Sequence, residues 1–187
     1  VSIGCQNCYA KTIANRFRPG LWGGPETNRR FFDDKHWQEP VDWNKAALMA
    51  DERHRVFCGS MCDVFEDRAD LVEHRIRLFQ LIEDTPYLDW LLLTKRPENI
   101  ELLVGDLGQM PSNIWLGVSV ENQQAANVRI PILAKIPAKV RFLSCEPLLG
   151  SVDLSLFPYG EIGWVIAGGE SGRQARPASK AWVREIR

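Results

Sequence analysis

Two kinds of residue in this chain can do chemistry: thiols at short spacing, and polar residues placed just past apolar runs. Cys5-Gln6-Asn7-Cys8 is a C-x-x-C, which puts two thiolates on one small loop within reach of a single metal ion or cluster. The same spacing also serves thioredoxin-like chemistry when it follows a strand and opens a helix. Cys58-x-x-x-Cys62 offers a second pair, so Cys5, Cys8, Cys58 and Cys62 form a candidate four-thiolate zinc set. Against this, Cys58 lies inside an apolar run, where cysteine acts as a small core residue. Cys145 reads as structural or site-lining, since His36, His54 and His74 are all far from it in sequence.

The polar residues come in five groups. Ser60-Met61-Cys62-Asp63 follows the first apolar run and Thr94-Lys95-Arg96-Pro97 the second. Ser119-Val120-Glu121-Asn122 and Ser144-Cys145-Glu146-Pro147 follow the third and fourth, and Gly168-Gly169-Glu170-Ser171-Gly172 the fifth. Each opens on a hydroxyl or a glycine and has a charged residue within three positions. Ligands of parallel α/β folds meet the residues just past the carboxyl ends of the strands, so a shared ligand site at this face is expected. The plainer role for Ser119 or Asp63 is helix capping. The glycine run matches neither a dinucleotide fingerprint nor a Walker loop. It suits either a tight turn or a loop whose amides approach a cofactor beside Glu170. Lys95 and Arg96 suit a carboxylate or phosphate, or a solvated loop.

The elements that must position these groups follow from the apolar pattern. Strands are expected at Arg55–Gly59, Asp89–Leu93, Ile114–Val118, Val140–Leu143 and Gly163–Ala167, with centres about 23 to 35 residues apart. Those are strand–helix unit lengths, and the runs are too apolar to alternate, which suits parallel strands buried on both faces. The fold class is therefore α/β, as a barrel or a doubly wound sheet. Helices are expected at Tyr9–Phe17, near Trp43–Asp51, over Leu71–Ile82 until Pro86, at Pro97–Leu107, at Asn122–Lys135 with Pro131 kinking or restarting it, and at Ala178–Arg187. Residues 1–54 hold the cysteine loop and a long insertion, and residues 55–187 the strand–helix units of a single domain.

Composition narrows the function classes. With 187 residues, 45% of them hydrophobic, the chain can bury a real core and is not disordered. Its 23 Lys and Arg balance 24 Asp and Glu, which removes the case for a whole-surface nucleic-acid or membrane partner. An odd, sparse set of five cysteines argues for a reducing cytoplasm rather than a secreted disulfide scaffold. No run approaches the ~18 apolar residues of a membrane span. The chain starts on Val1 and ends within an amphipathic run, so a domain incomplete at both termini is expected.

The ordered motifs resemble an uncharacterised phage and prophage family with a three-cysteine motif, related to the radical S-adenosylmethionine (radical SAM) enzymes. They are Gly4-Cys5-x-x-Cys8-Tyr9-Ala10, Ser60-Met61-x-Asp63-Val64-Phe65, Leu93-Thr94-Lys95-Arg96-Pro97, Trp115 to Glu121, Arg141 to Gly150, and Gly168 to Gly172 with Ala175-Arg176-Pro177. The resemblance implies a partial (β/α) barrel of the radical SAM type. It further implies a [4Fe-4S] cluster with Cys5 and Cys8 as two of three ligands, the third lying ahead of Val1, and SAM as a bound small molecule. Ser60 and Asp63 would then meet the amino acid or ribose of SAM. Ser119, Glu121, Gly168, Gly169 and Glu170 would meet ribose, adenine or substrate, with Thr94, Lys95, Arg96, Ser144 and Glu146 as substrate candidates. A rival reading is a zinc-stabilised nucleic-acid-binding module without turnover. Residues 11–32 carry Lys11, Arg16, Arg18, Arg29 and Arg30 against Glu26, interleaved with Trp22, Phe31 and Phe32, which suits single-stranded nucleic acid. If both readings hold, the expected substrate is a nucleotide or nucleic acid.

Overall fold

Five parallel strands hydrogen-bond in the order in which the chain makes them: β1 (His54–Cys58), β2 (Leu88–Thr94), β3 (Ile114–Ser119), β4 (Val140–Cys145) and β5 (Trp164–Ala167). The computed structural model describes residues 2–17, 20, 22–24, 26–105, 110–158 and 160–186. Every strand lies beside its predecessor, so the order never reverses as it would in a doubly wound sheet. The sheet curls into a half-barrel. Right-handed crossovers put all the intervening helices on one face of such a sheet.

Those helices are α3 (Val72–Asp84), α4 (Ile100–Gly105) and α5 (Gln123–Leu133). Their apolar stripes, including Phe79 and Ile82 of α3, Ile100 of α4, and Ala126 and Ile130 of α5, share one buried cluster with Leu92, Leu116 and Leu143 of the sheet. The concave face carries the alternate set. Leu91 pairs with Trp115, Gly117 with Phe142, and Phe142 with Trp164. A Cβ on Gly117 would stand 2.3 Å from the Phe142 ring, so glycine is the residue that lets this ring lie flat across β3.

The strands and helices agree with the sequence pattern, apart from their ends, with two corrections. The helix expected near Trp43–Asp51 is α2 (Asp34–Ala50), beginning nine residues earlier. Pro40 sits inside it, but Asp33 caps its first turn by accepting from His36 N at 3.2 Å. Trp37 also anchors that turn against Arg77 of α3, whose guanidinium lies 4.5 Å above the indole. Pro131 does not restart α5, which runs through it, and the ladder resumes with Ala134 N donating to Ile130 at 2.9 Å. Pro97–Asn99 is a 3-10 turn ahead of α4, and Leu107 lies outside the described residues. The first and last helices are α1 (Tyr9–Phe17) and α6 (Lys180–Glu185), with Arg187 outside the described residues. No helix among the described residues is long and apolar enough to cross a membrane.

Replacing Gly117 by Ala forces the Phe142 ring off the sheet. It is expected to cost about 1–3 kcal/mol, read as a lower midpoint in urea with an unchanged slope. An unchanged midpoint would mean that the ring moves freely and the concave layer is loosely packed.

Candidate functional site

The carboxyl ends of the strands form one rim, and residues 2–8 lie across it. This segment is a 3-10 turn, Ile3–Cys5, followed by the start of α1. It is held at three points. Beyond β3, Glu121 accepts from the Ser2 hydroxyl in a short hydrogen bond. A Cβ on Gly4 would come within 2.7 Å of the Glu121 side chain, so only glycine allows the loop to rest there. Beyond β5, Glu170 accepts from Asn7 Nδ2 at 3.0 Å, and Arg176 donates to the Ile3 carbonyl at 3.0 Å and to Gln6 Oε1 at 3.3 Å. Beyond β1, the Ser60 carbonyl accepts from Tyr9 OH at 3.4 Å. Cys5 and Cys8 are free, half-buried thiols on this strap, with the Cys5 sulfur 3.7 Å from the Ser2 hydroxyl.

Glu121 is only 1% exposed. Arg129 of α5 donates to it at 2.8 Å and also to the Ser119 carbonyl at 2.6 Å. Lys95, beyond β2, stands 3.8 Å from the same carboxylate and donates to Ser119 Oγ at 2.8 Å. Burial opposes the charge on Glu121, but the Ser2 hydroxyl, Arg129 and Lys95 outweigh it and hold the carboxyl below its ordinary range. Glu170 is held lower still, at about 2, chiefly by the Arg176 guanidinium, which donates to it from Nη2 at 2.5 Å and Nε at 2.9 Å.

Asp63 ties the first two rim loops together. It accepts from Phe65 N, Thr94 Oγ1, Lys95 N and Arg96 Nη1, at 2.8 to 3.1 Å. Arg96 also stands 3.5 Å from Glu66, which takes a two-pronged hydrogen bond from Arg29 at 2.9 and 3.2 Å. Glu146 follows β4 on the exposed side of a cis peptide bond to Pro147, and its carboxylate fills the space that a Cβ on Gly168 would need.

The structure thus brings nearly all the expected site residues to one rim and divides their work. Asp63, Thr94, Arg96, Ser119, Glu121 and Glu170 are committed to protein partners and shape the rim. Ser60, Lys95, Glu146 and Gly169 remain on its accessible side, while the Gly168 backbone is spent on Cys145 and Leu148 and Ser144 is buried at the end of β4. Arg129, Arg176, Ser2 and Asn7 were not among the expected site residues. The Glu–Arg pairs that recruit them join positions eight and six residues apart across loops, and no periodicity marks such pairs.

The second cysteine pair behaves differently. Burial pushes the Cys58 thiol to about 12 and the Cys62 thiol to about 11, and Cys145, fully buried, also rises to about 12. These are neutral thiols at pH 7. Among the described residues no three His, Cys, Asp or Glu side chains gather around one metal position, so the four-cysteine zinc set is not assembled. The basic segment is engaged only in part, with Lys11, Arg16 and Arg30 exposed. Arg29 is spent on Glu66, Phe31 stacks on His74 at 3.8 Å, and Phe32 lies tilted against His36 at 4.0 Å. Arg18 lies outside the described residues.

This arrangement belongs to a parallel half-barrel with a cysteine strap over the carboxyl ends of its strands. Over residues 1–187 the chain matches the model of DUF5131, a family described as proteins of unknown function, and it belongs to that family. No curated protein matches it, and neither does any solved structure.

Two outcomes test the strap. Gly4→Ala lifts it from Glu121, and labelling of Cys5 and Cys8 by a thiol reagent is expected to accelerate about tenfold for each ~1.4 kcal/mol of docking lost; unchanged labelling would show that the contact does not hold it. The second concerns pH. A depressed carboxyl contributes stability that is complete above its unfolded value of about 4.3 and is lost as the pH falls through the folded value. The gap in melting temperature between the parent and Glu170→Gln is therefore expected to be constant above about pH 5 and to close towards pH 2. A gap that persists at pH 2 would remove the Arg176 pair as its cause.

Proposed function

We propose that this chain forms the catalytic mouth of a phage- or prophage-type, radical-SAM-like iron–sulfur enzyme of a reducing cytoplasm, acting on a nucleotide or nucleic acid. One observation carries the reading: Cys5 and Cys8 share a strap pinned to the exits of β1, β3 and β5. Metal-centred barrel enzymes do their chemistry at that end of the sheet. The two thiols fit as two ligands of a [4Fe-4S] cluster, and the described residues hold no third beside them. When bound, such a cluster supplies one-electron chemistry to S-adenosylmethionine.

The chain's own residues have distinct tasks in this reading. Glu121 and Glu170 fix the strap's height and tilt over the rim. Lys95 bonds to Ser119 yet keeps part of its surface in solvent, so its ammonium is placed to take a carboxylate from SAM or substrate. Glu146 is an exposed carboxylate with no hydrogen bond or ion pair to the described residues, and it suits a ligand ammonium or hydroxyl. The Ser60 hydroxyl and the Gly169 backbone complete a polar rim around the strap.

The test is metal analysis of anaerobically expressed protein. Iron and sulfide with a brown colour that bleaches with dithionite are expected, and either Cys5→Ala or Cys8→Ala should remove most of the iron. Colourless protein carrying one zinc would overturn the reading, as would iron content indifferent to both substitutions.

A further inference from the structure

We infer a second ligand site on the concave face of the half-barrel, below the strap, which takes an oxyanion borne by a small planar ring. Arg55 of β1 lies with its guanidinium 4.8 Å from the Trp115 ring and 5.8 Å from the Trp164 ring. The two indoles meet edge to face at 6.0 Å, and Phe142 packs on Trp164 at 5.7 Å. This is an aromatic floor with one cation on it.

Three observations point to a ligand there. Arg55 is exposed, and no hydrogen bond or ion pair joins it to the described residues, so all its donors are free. Its Cα partner in the sheet, Asp89, is no counter-ion, because Arg53 at 2.7 Å and Lys139 at 2.8 Å already hold that carboxylate. Three cations against one carboxylate leave this end of the face positive. Next, Trp115 Nε1 is buried without a hydrogen-bond partner. A buried donor with no acceptor costs about 1–3 kcal/mol and is rare in folded proteins. Finally, the floor is open at its Arg55 end. Phe57 beside Arg55 is 46% exposed, and both residues border a cavity of about 370 Å³ at the edge of β1, whose other lining is Trp43, His54 and Val56 rather than the two indoles.

A planar ring stacks on this floor as bases stack on indole, and a phosphate or carboxylate on the same molecule takes the fork of Arg55. The inference rests on the nucleotide-directed reading above for its biological sense, but the site needs no metal.

The experiment follows the indole N–H resonances of ¹⁵N-labelled protein, with Trp115 assigned from Trp115→Phe, both as purified and after chelation of any metal. Four probes are added: adenosine monophosphate, adenosine, inorganic phosphate and benzoate. The expected result is a saturable shift of the Trp115 resonance with adenosine monophosphate, with or without metal, and about tenfold or more weaker binding in Arg55→Gln. Partial recovery in Arg55→Lys is expected, and circular dichroism of both variants verifies their fold. A comparable shift with benzoate makes the bound source a carboxylate; its absence makes it a nucleotide phosphate. Equal binding of adenosine and its monophosphate, a shift with inorganic phosphate alone, or binding indifferent to Arg55 would overturn the inference. Absence of iron and sulfide from the anaerobically purified protein, with the shift intact, would overturn the enzyme reading and leave this site standing.

Discussion

The constraint on which the rim depends is the burial of Glu121. A carboxylate two residues past β3 has almost no contact with water, so it stays charged only because Arg129, Lys95 and Ser2 surround it. Those three groups come from α5, from the β2 exit and from the strap. Removing one member of a buried ionic set costs about 3–5 kcal/mol, because the rest are left uncompensated. The same atoms that satisfy Glu121 therefore join a helix, a neighbouring rim loop and the cysteine segment. Gly4 completes the arrangement by having no side chain to hold the strap away.

Glu170 makes a second, looser version of the same device. Its partner Arg176 also reaches the backbone and a side chain of the strap, and Asn7 answers from the strap itself. The two carboxylates sit beyond β3 and β5, so the strap is held on both sides of β4, where Glu146 and Gly168 approach each other. Accessible polar groups at the rim thus surround a segment whose position is set by buried or paired ones. A rim that holds its cysteine loop by charge rather than by apolar packing can be precise without a large core beneath it.

Much of this was legible in the residue pattern, and the reason is physical. Parallel strands buried on both faces leave unbroken apolar runs, and the polar residues ending them must lie at one edge because all the strands point the same way. Ser60, Thr94, Ser119, Ser144 and Gly168 mark that edge without any coordinates. The division of labour among them was not legible. Asp63 and Glu170 carry the residue types of ligand contacts, yet each is saturated by protein donors, and only three-dimensional proximity reveals this. The early start of α2 was hidden for a different reason. Pro40 reads as a helix breaker, but it deletes a single donor, while Asp33 and the Trp37–Arg77 contact stabilise the turns before it.

The concave face shows a further limit of pattern reading. Arg55, Trp115 and Trp164 occupy three strands, and each looks ordinary in its own run. Alternation assigns them to one side of the sheet only once register is known, and register is a property of the ladder rather than of any strand. The rim and the floor then separate by chemistry along the barrel axis. The rim is a network of charges that satisfy one another around two thiols. The floor is aromatic, with a cation and a buried indole donor left unanswered. Paired charges hold a structure together, whereas a buried donor without an acceptor is retained at a cost in stability; among the described residues Trp37 and Trp115 both carry that cost, and only Trp115 lies beside a cation with no ionic partner.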